Sequence, residues 1–164
     1  MAANLIKIAS NEGKEFLVPR NVVILSKTIK TLLETMGLDD MDTTNEAPIP
    51  LQNVDSKTLA KCIEWCKHHH EDPEEPEEPS SEESKALSTW DTNFMKVSDS
   101  EVFEIILAAN YLDIPGLLNI GCKTVANGMS GLSVEQIRAK YGVVNDFSAE
   151  EEEQIRKENA WCED

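Results

Sequence analysis

The residues best equipped to do chemistry in this sequence are cysteines and histidines at short spacing. Cys62 and Cys66, followed by His68, His69 and His70, supply thiols and imidazoles of the kinds that ligate zinc. On a helix, Cys62, Cys66 and His70 would share a face at i, i+4 and i+8. The spacing departs from the usual C-x2-C and H-x3-H pairs, however. Both cysteines also fall on an apolar stripe with Leu59 and Ile63, where a thiol packs as a small hydrophobe. The expectation is core packing with solvent-exposed histidines, with neither a metal site nor a cofactor. Cys162, near the end of the chain, is a conceivable nucleophile, but its neighbours are acids, which disfavour a thiolate. Asp39, Asp40 and Asp42 lack the alternate spacing and closing Glu of a calcium loop. G-x-S-x-G, G-x-G-x-x-G, H-E-x-x-H and a Gly-rich phosphate loop are all missing. No catalytic residue is expected.

The elements around these residues read as a small mixed unit followed by helices. Leu5-Ile6-Lys7-Ile8 and Phe16-Leu17-Val18 are β-type runs joined by SNEGK, a hairpin signal. Leu25, Ile29, Leu32, Leu33 and Met36 recur at helical spacing and stop at Gly37. Pro48-Ile49-Pro50-Leu51 reads as a strand confined to an edge by its prolines. Leu59, Cys62, Ile63 and Cys66 mark a further helix, stopping near His70. Ser98 with Glu101, Ser133 with Gln136, and Ser148 with Glu151 have capping-box spacing and predict three helix starts. Residues 102–112 (VFEIILAANYL) are apolar almost all round, which predicts a central helix covered on several sides. Pro115 suits the first turn of the next helix, with Asp113 able to cap it; that helix carries Leu117, Leu118, Cys122 and Val125.

Charge separates classes of partner. The 164 residues hold 31 Asp and Glu against 15 Lys and Arg, a net charge of −16, which opposes nucleic acids and anionic membrane surfaces alike. No apolar run is long enough to span a bilayer, and the start offers no apolar signal segment. Four cysteines in such a chain predict reduced thiols in the cytoplasm or nucleus. Eight of the carboxylates crowd into residues 71–83 (EDPEEPEEPSSEE); without that stretch the net charge halves to −8. Its prolines and self-repulsion predict a disordered spacer, read either as a solvated insertion within one domain or as a decoy for basic partners.

The last helix, 148–162, is poorly supplied with apolar residues. Ile155 stands alone in its body, with Phe147 just before it and Trp161 and Cys162 at its end. Two readings stay open. The helix is completed by another chain, or it docks on its own domain through Phe147 and Trp161.

At residues 106–114 (ILAANYLDI) and at the terminal EEEEQIRKENAWCED, the sequence resembles the S-phase kinase-associated protein 1 family, the F-box adaptors of SCF ubiquitin ligases. Further matching blocks are TIKT (28–31), GLDD (37–40), PIPL (48–51), Trp65-Cys66 with His68-His69, Trp90-Asp91, CKTVAN (122–127) and NDF (145–147), in the family's order across nearly the whole chain. The resemblance implies an α+β protein with a BTB/POZ fold, having a small N-terminal sheet and helices, over residues 1–128. An acidic disordered insertion at 71–88 would interrupt it, and two C-terminal extension helices would follow in an F-box-binding segment, 129–164. By position, the F-box-facing residues would be Leu118, Cys122, Ile137, Phe147, Ile155, Asn159, Trp161 and Cys162. Asn110 and Tyr111 would meet the cullin, with lining of the core as the lesser reading of Tyr111. The implied role is a non-catalytic bridge between F-box substrate receptors and a cullin scaffold, cytoplasmic and nuclear. The alternative is an F-box-binding subunit acting outside a cullin ligase. A small zinc- or cysteine-dependent enzyme is the reading from another class.

The chain departs from the family pattern at Gly128, where a large apolar residue is common, at Val134, where a proline is common, and at Pro115, where a lysine is common. These changes bear on which F-box proteins are accepted. An exposed apolar cradle could also drive weak homodimerisation when no F-box partner is present.

Overall fold

In the computed structural model, residues 4–38, 41–72 and 87–162 are described. The acidic stretch 73–86, which carries most of the expected insertion, lies outside them, as do Asp39 and Asp40. The chain divides into two compact units, Met1–Gly128 and Met129–Asp164.

The first unit begins with the hairpin that the sequence predicts. β1 (Leu5–Ala9) and β2 (Glu15–Pro19) pair antiparallel, with Ile6 opposite Val18 and Ile8 opposite Phe16. Gly13 takes a positive φ of 77° in the turn, a conformation that glycine adopts without steric cost. A short α1 (Arg20–Val23) follows, then α2 (Lys27–Met36), which Ser26 caps and Gly37 ends in the left-handed region. β3 (Ile49–Pro50) runs parallel to β1, giving the order β2-β1-β3. Both outer strands contain proline, which an edge tolerates. Ile6, Ile8 and Val18 point into the core, where Ile29 and Leu33 of α2 meet them.

α3 (Ser56–His69) and α5 (Asp99–Leu112) pack against each other and complete this core with Leu59, Cys62, Ile105, Ala108, Ala109 and Leu112. The packing leaves a gap of only about 20 Å³ between Ile8, Ser26, Cys62 and Leu112. Between the two helices lies α4 (Thr89–Phe94), an element without a strong sequence signal. It docks by aromatic stacking. Trp90 stacks on His68 at 3.9 Å and on Phe94 at 5.1 Å, while Trp65 stacks on His69 at 4.3 Å. The buried Asp91 carboxylate joins them, accepting from Trp65 Nε1 at 3.1 Å and from Ser88 Oγ at 2.7 Å, with His69 Nε2 at 3.1 Å. The ends of α3 and α4 that flank residues 73–86 are thereby fastened together.

α6 (Pro115–Met129) starts at Pro115, as its fixed φ favours. Asp113, expected to cap it, instead closes α5 in the left-handed region (φ 49°). Gly116 lies against the Trp65 ring: an added Cβ would sit 2.6 Å from Cη2 and 3.1 Å from Cζ2. The ring is buried and tied through its N–H to Asp91, so it has little freedom to yield. Gly116→Ala is expected to destabilise the protein by about 1–3 kcal/mol through overpacking, despite the roughly 1 kcal/mol of helix propensity that alanine brings. A urea midpoint above wild type would contradict it.

All three capping boxes form, at Ser98/Glu101, Ser133/Gln136 and Ser148/Glu151. Glu101 also pairs with Lys57 of α3. The Lys57 ammonium first, and then the Ser98 backbone N–H and hydroxyl, hold its carboxyl down to about 2, from an ordinary 4.5. A depressed carboxyl stabilises the fold above its ordinary value. The contribution of Glu101 is therefore fully present above about 4.5 and lost as the pH falls toward about 2. In a carbon-detected NMR titration, Lys57→Ala should move the Glu101 midpoint upward, and high salt should do so in part. An unmoved midpoint would remove Lys57 as the cause.

The second unit holds α7 (Val134–Tyr141), α8 (Ala149–Glu158) and a 3-10 turn, Ala160–Cys162. No residue of α7 or α8 is buried. Arg138 reaches Glu152 at 3.6 Å, linking α7 to α8 beside an open groove floored by Ala139, Gly142, Val143 and Val144. Among the described residues of the chain, no helix is long and apolar enough to cross a membrane.

Candidate functional site: the exposed apolar surfaces

The cysteine–histidine constellation resolves into packing. Cys62 and Cys66 are buried, and desolvation pushes both thiols up to about 12. They are held as neutral hydrophobes. The histidines differ from expectation, because they are not simply solvated. His68 and His69 are stacked on tryptophans, and His69 spans two carboxylates, with Nδ1 2.5 Å from Asp72 and Nε2 3.1 Å from Asp91. His70 folds back to the Lys67 carbonyl at 2.9 Å. Among the described residues, no group of three or more His, Cys, Asp or Glu side chains could hold a metal ion.

What the chain presents instead is apolar surface, and it does so in three places. The first is α5. Its inner face is buried as expected, but it is not covered all round. Phe103 and Leu107 are 40% and 68% exposed, one turn apart. The same helix then ends on the exposed Asn110 and the half-buried Tyr111. A helix apolar on both faces was read as central; here the outer face simply remains open, which for a contiguous apolar stripe usually marks an interaction surface.

The α5 terminus that carries Asn110 and Tyr111 is held firmly. The last carbonyls of a helix have no partner within it. Here three successive ones are taken by three successive residues at the start of α2. Thr28 Oγ1 donates to the Tyr111 carbonyl at 3.0 Å, Ser26 Oγ to that of Leu112 at 2.5 Å, and Lys27 N–H to that of Asp113 at 3.0 Å. The positive end of α2 thus meets the negative end of α5. Tyr111 is also partly packed on the core.

The second surface is on α6, and the third is on the C-terminal unit. On α6, Leu118 is half-buried against the core and Cys122, one turn on, is exposed. In the C-terminal unit, Ile137 is half-buried, while Phe147 and Ile155 are 47% and 39% exposed. Asn159 is exposed, its side-chain amide donating to the Ile155 carbonyl at 2.9 Å. Trp161, in the closing turn, is 76% exposed. Cys162 ends that turn. The reading in which Phe147 and Trp161 anchor the last helix calls for buried rings, whereas both are exposed. Val134 sits at the first position of α7 and is exposed, so it adds to the apolar surface. Val143 and Val144 extend it further, and sequence periodicity gave no sign of them because they fall in a loop.

Two sequence models of one family match the chain. The Skp1 family tetramerisation domain covers residues 4–71, and the Skp1 family dimerisation domain covers residues 115–162. A Skp1-related protein of Caenorhabditis elegans is 56% identical over 161 residues, covering 97% of this chain and 92% of that one. The chain belongs to the Skp1 family. Two relatives in Dictyostelium discoideum, named SCF ubiquitin ligase complex proteins SKP1b and SKP1a, are each 44% identical over 163 residues, covering 98% of this chain and 97% of theirs. Membership accounts for the fold: the three-stranded sheet with its surrounding helices is the BTB/POZ-like part of an α+β protein, to which α7 and α8 are appended.

Proposed function

We propose that this chain is the non-catalytic adaptor of an SCF-type ubiquitin ligase, bridging F-box substrate receptors to a cullin scaffold. The observation that carries the proposal is the C-terminal unit, whose helices bury no residue while presenting Phe147, Ile155 and Trp161. Such a surface is completed by a partner rather than by its own core. The F-box would be met by Leu118 and Cys122 of α6 and by Ile137, Phe147, Ile155, Asn159, Trp161 and Cys162. The cullin would be met by Asn110 and Tyr111 at the end of α5. The names of the Dictyostelium relatives support the place in an SCF ligase.

The mechanism is positional. One partner brings the substrate and the other the ubiquitin-charged enzyme. Holding both on one chain raises the effective concentration of the substrate lysine near the activated ubiquitin. No bond forms or breaks on the adaptor. The acidic surplus keeps the apolar surfaces soluble and adds repulsion against nucleic acids. The cytoplasm and nucleus are the proposed compartments, and a weak homodimer through the uncovered apolar surface is proposed when no F-box partner is present.

A reconstituted ubiquitin-transfer reaction tests this. Modification of the F-box receptor's substrate should require this chain, and a non-reducing gel should show no ubiquitin thioester on it. Transfer at full rate without the chain, or a thioester formed on it, would overturn the proposal. F-box binding with no cullin binding would instead mark a subunit acting outside the ligase.

A further inference from the structure

We propose that Thr28 is a positioning residue for the cullin contact, acting through the backbone of Tyr111. The inference rests on the reading above that places the cullin at Asn110 and Tyr111. Of the three bonds that close the end of α5, the one from Thr28 reaches the carbonyl of Tyr111 itself, at 3.0 Å. The other two act further along, on Leu112 and Asp113. Ser26 is buried and is also the N-cap of α2, accepting from the Ile29 N–H at 3.2 Å, so its loss would disturb the fold. The Lys27 bond is made by a main-chain N–H and is independent of its side chain. Thr28 is half-buried, and its hydroxyl is the side-chain group that can be removed with least cost to the rest of the molecule.

The consequence follows from helix-end geometry. The final turn of a helix frays unless its carbonyls find donors. Asp113, a residue type that tolerates the left-handed region, closes this turn at φ 49°, and its N–H and that of Ile114 satisfy the carbonyls of Asn110 and Ala109. The carbonyls that follow, from Tyr111 onward, take their donors from the start of α2, and Asn110 and Tyr111 lie within this turn. Releasing the Tyr111 carbonyl lets that turn sample other positions, and the ordering cost then falls on cullin binding.

Thr28→Val keeps the shape and β-branching and deletes only the donor. The full-length protein, its Val and Ser variants and Tyr111→Lys would be titrated by calorimetry with a cullin N-terminal domain and, separately, with an F-box fragment. Thr28→Val should weaken the cullin by about threefold to tenfold, the worth of one neutral hydrogen bond, and leave F-box affinity unchanged. Thr28→Ser should restore the cullin affinity, which a general packing role for the threonine methyl would not allow. Should Thr28→Val melt below the assay temperature, Thr28→Ala in its place reads the same loss. Normal cullin binding by Thr28→Val, with binding abolished by Tyr111→Lys, overturns the positioning role and leaves the cullin site intact. Equal losses for both partners overturn it in favour of a general stability effect. Normal cullin binding by Tyr111→Lys overturns the cullin-site reading and this inference with it.

Discussion

Trp161→Ala is expected to weaken binding of an F-box fragment by roughly 30-fold to 1,000-fold, the loss of about 2–4 kcal/mol typical of a central aromatic anchor. The stability of the free protein should scarcely change, because the ring is 76% exposed and leaves no cavity behind. This separation of binding from stability is the signature of a partner-facing residue. Fluorescence supplies the readout. The chain has three tryptophans, and Trp65 and Trp90 are fixed in the stack at the end of α3. A blue shift on F-box binding should therefore come from Trp161 and vanish in the variant. An unaltered affinity would mean that the F-box does not cover the closing turn.

The second large effect is on stability. Asp91 is 6% exposed, and its carboxylate accepts from Trp65 Nε1 and Ser88 Oγ and meets His69 Nε2. Asp91→Ala would leave a buried indole N–H without an acceptor and remove the group that joins α3 to α4. A loss of about 3 kcal/mol is expected, since stranding buried donors costs more than the net worth of the bonds themselves. Asp91→Asn keeps one carbonyl oxygen and should cost less, about 1 kcal/mol. Urea unfolding followed at the Trp65 and Trp90 emission measures both. Equal midpoints for the two variants would show that acceptor capacity is not what matters there.

The hairpin, the edge strand, the α2 stop at Gly37 and the three capping boxes were all legible in sequence, because each is specified by neighbours a few residues apart. The same holds for the burial of Cys62 and Cys66, which their stripe with Leu59 and Ile63 already indicated. What escaped was set by tertiary contact. α4 has too few residues to carry a periodic signal, and its place is fixed by stacking on residues more than 20 positions away. The end of α5 reads locally as a helix meeting Asp113, whereas its carbonyls are satisfied from residues 26–28. The outer face of α5 misled for a simpler reason. Periodicity cannot distinguish an apolar face covered by the same chain from one left for a partner, and only the exposure of Phe103 and Leu107 tells them apart. The C-terminal helix was the converse case. Its shortage of apolar residues left two readings open, a missing partner or docking on its own domain, and the exposed Phe147 and Trp161 fit the first.

The bridging role is tested most directly by size-exclusion chromatography with light scattering, on this chain mixed with an F-box fragment and a cullin N-terminal domain. A bridging adaptor gives a ternary complex with one copy of each. Tyr111→Lys should then reduce it to the binary complex with the F-box fragment. A chain that binds neither partner, or a Tyr111→Lys protein that still carries the cullin into the complex, would contradict it.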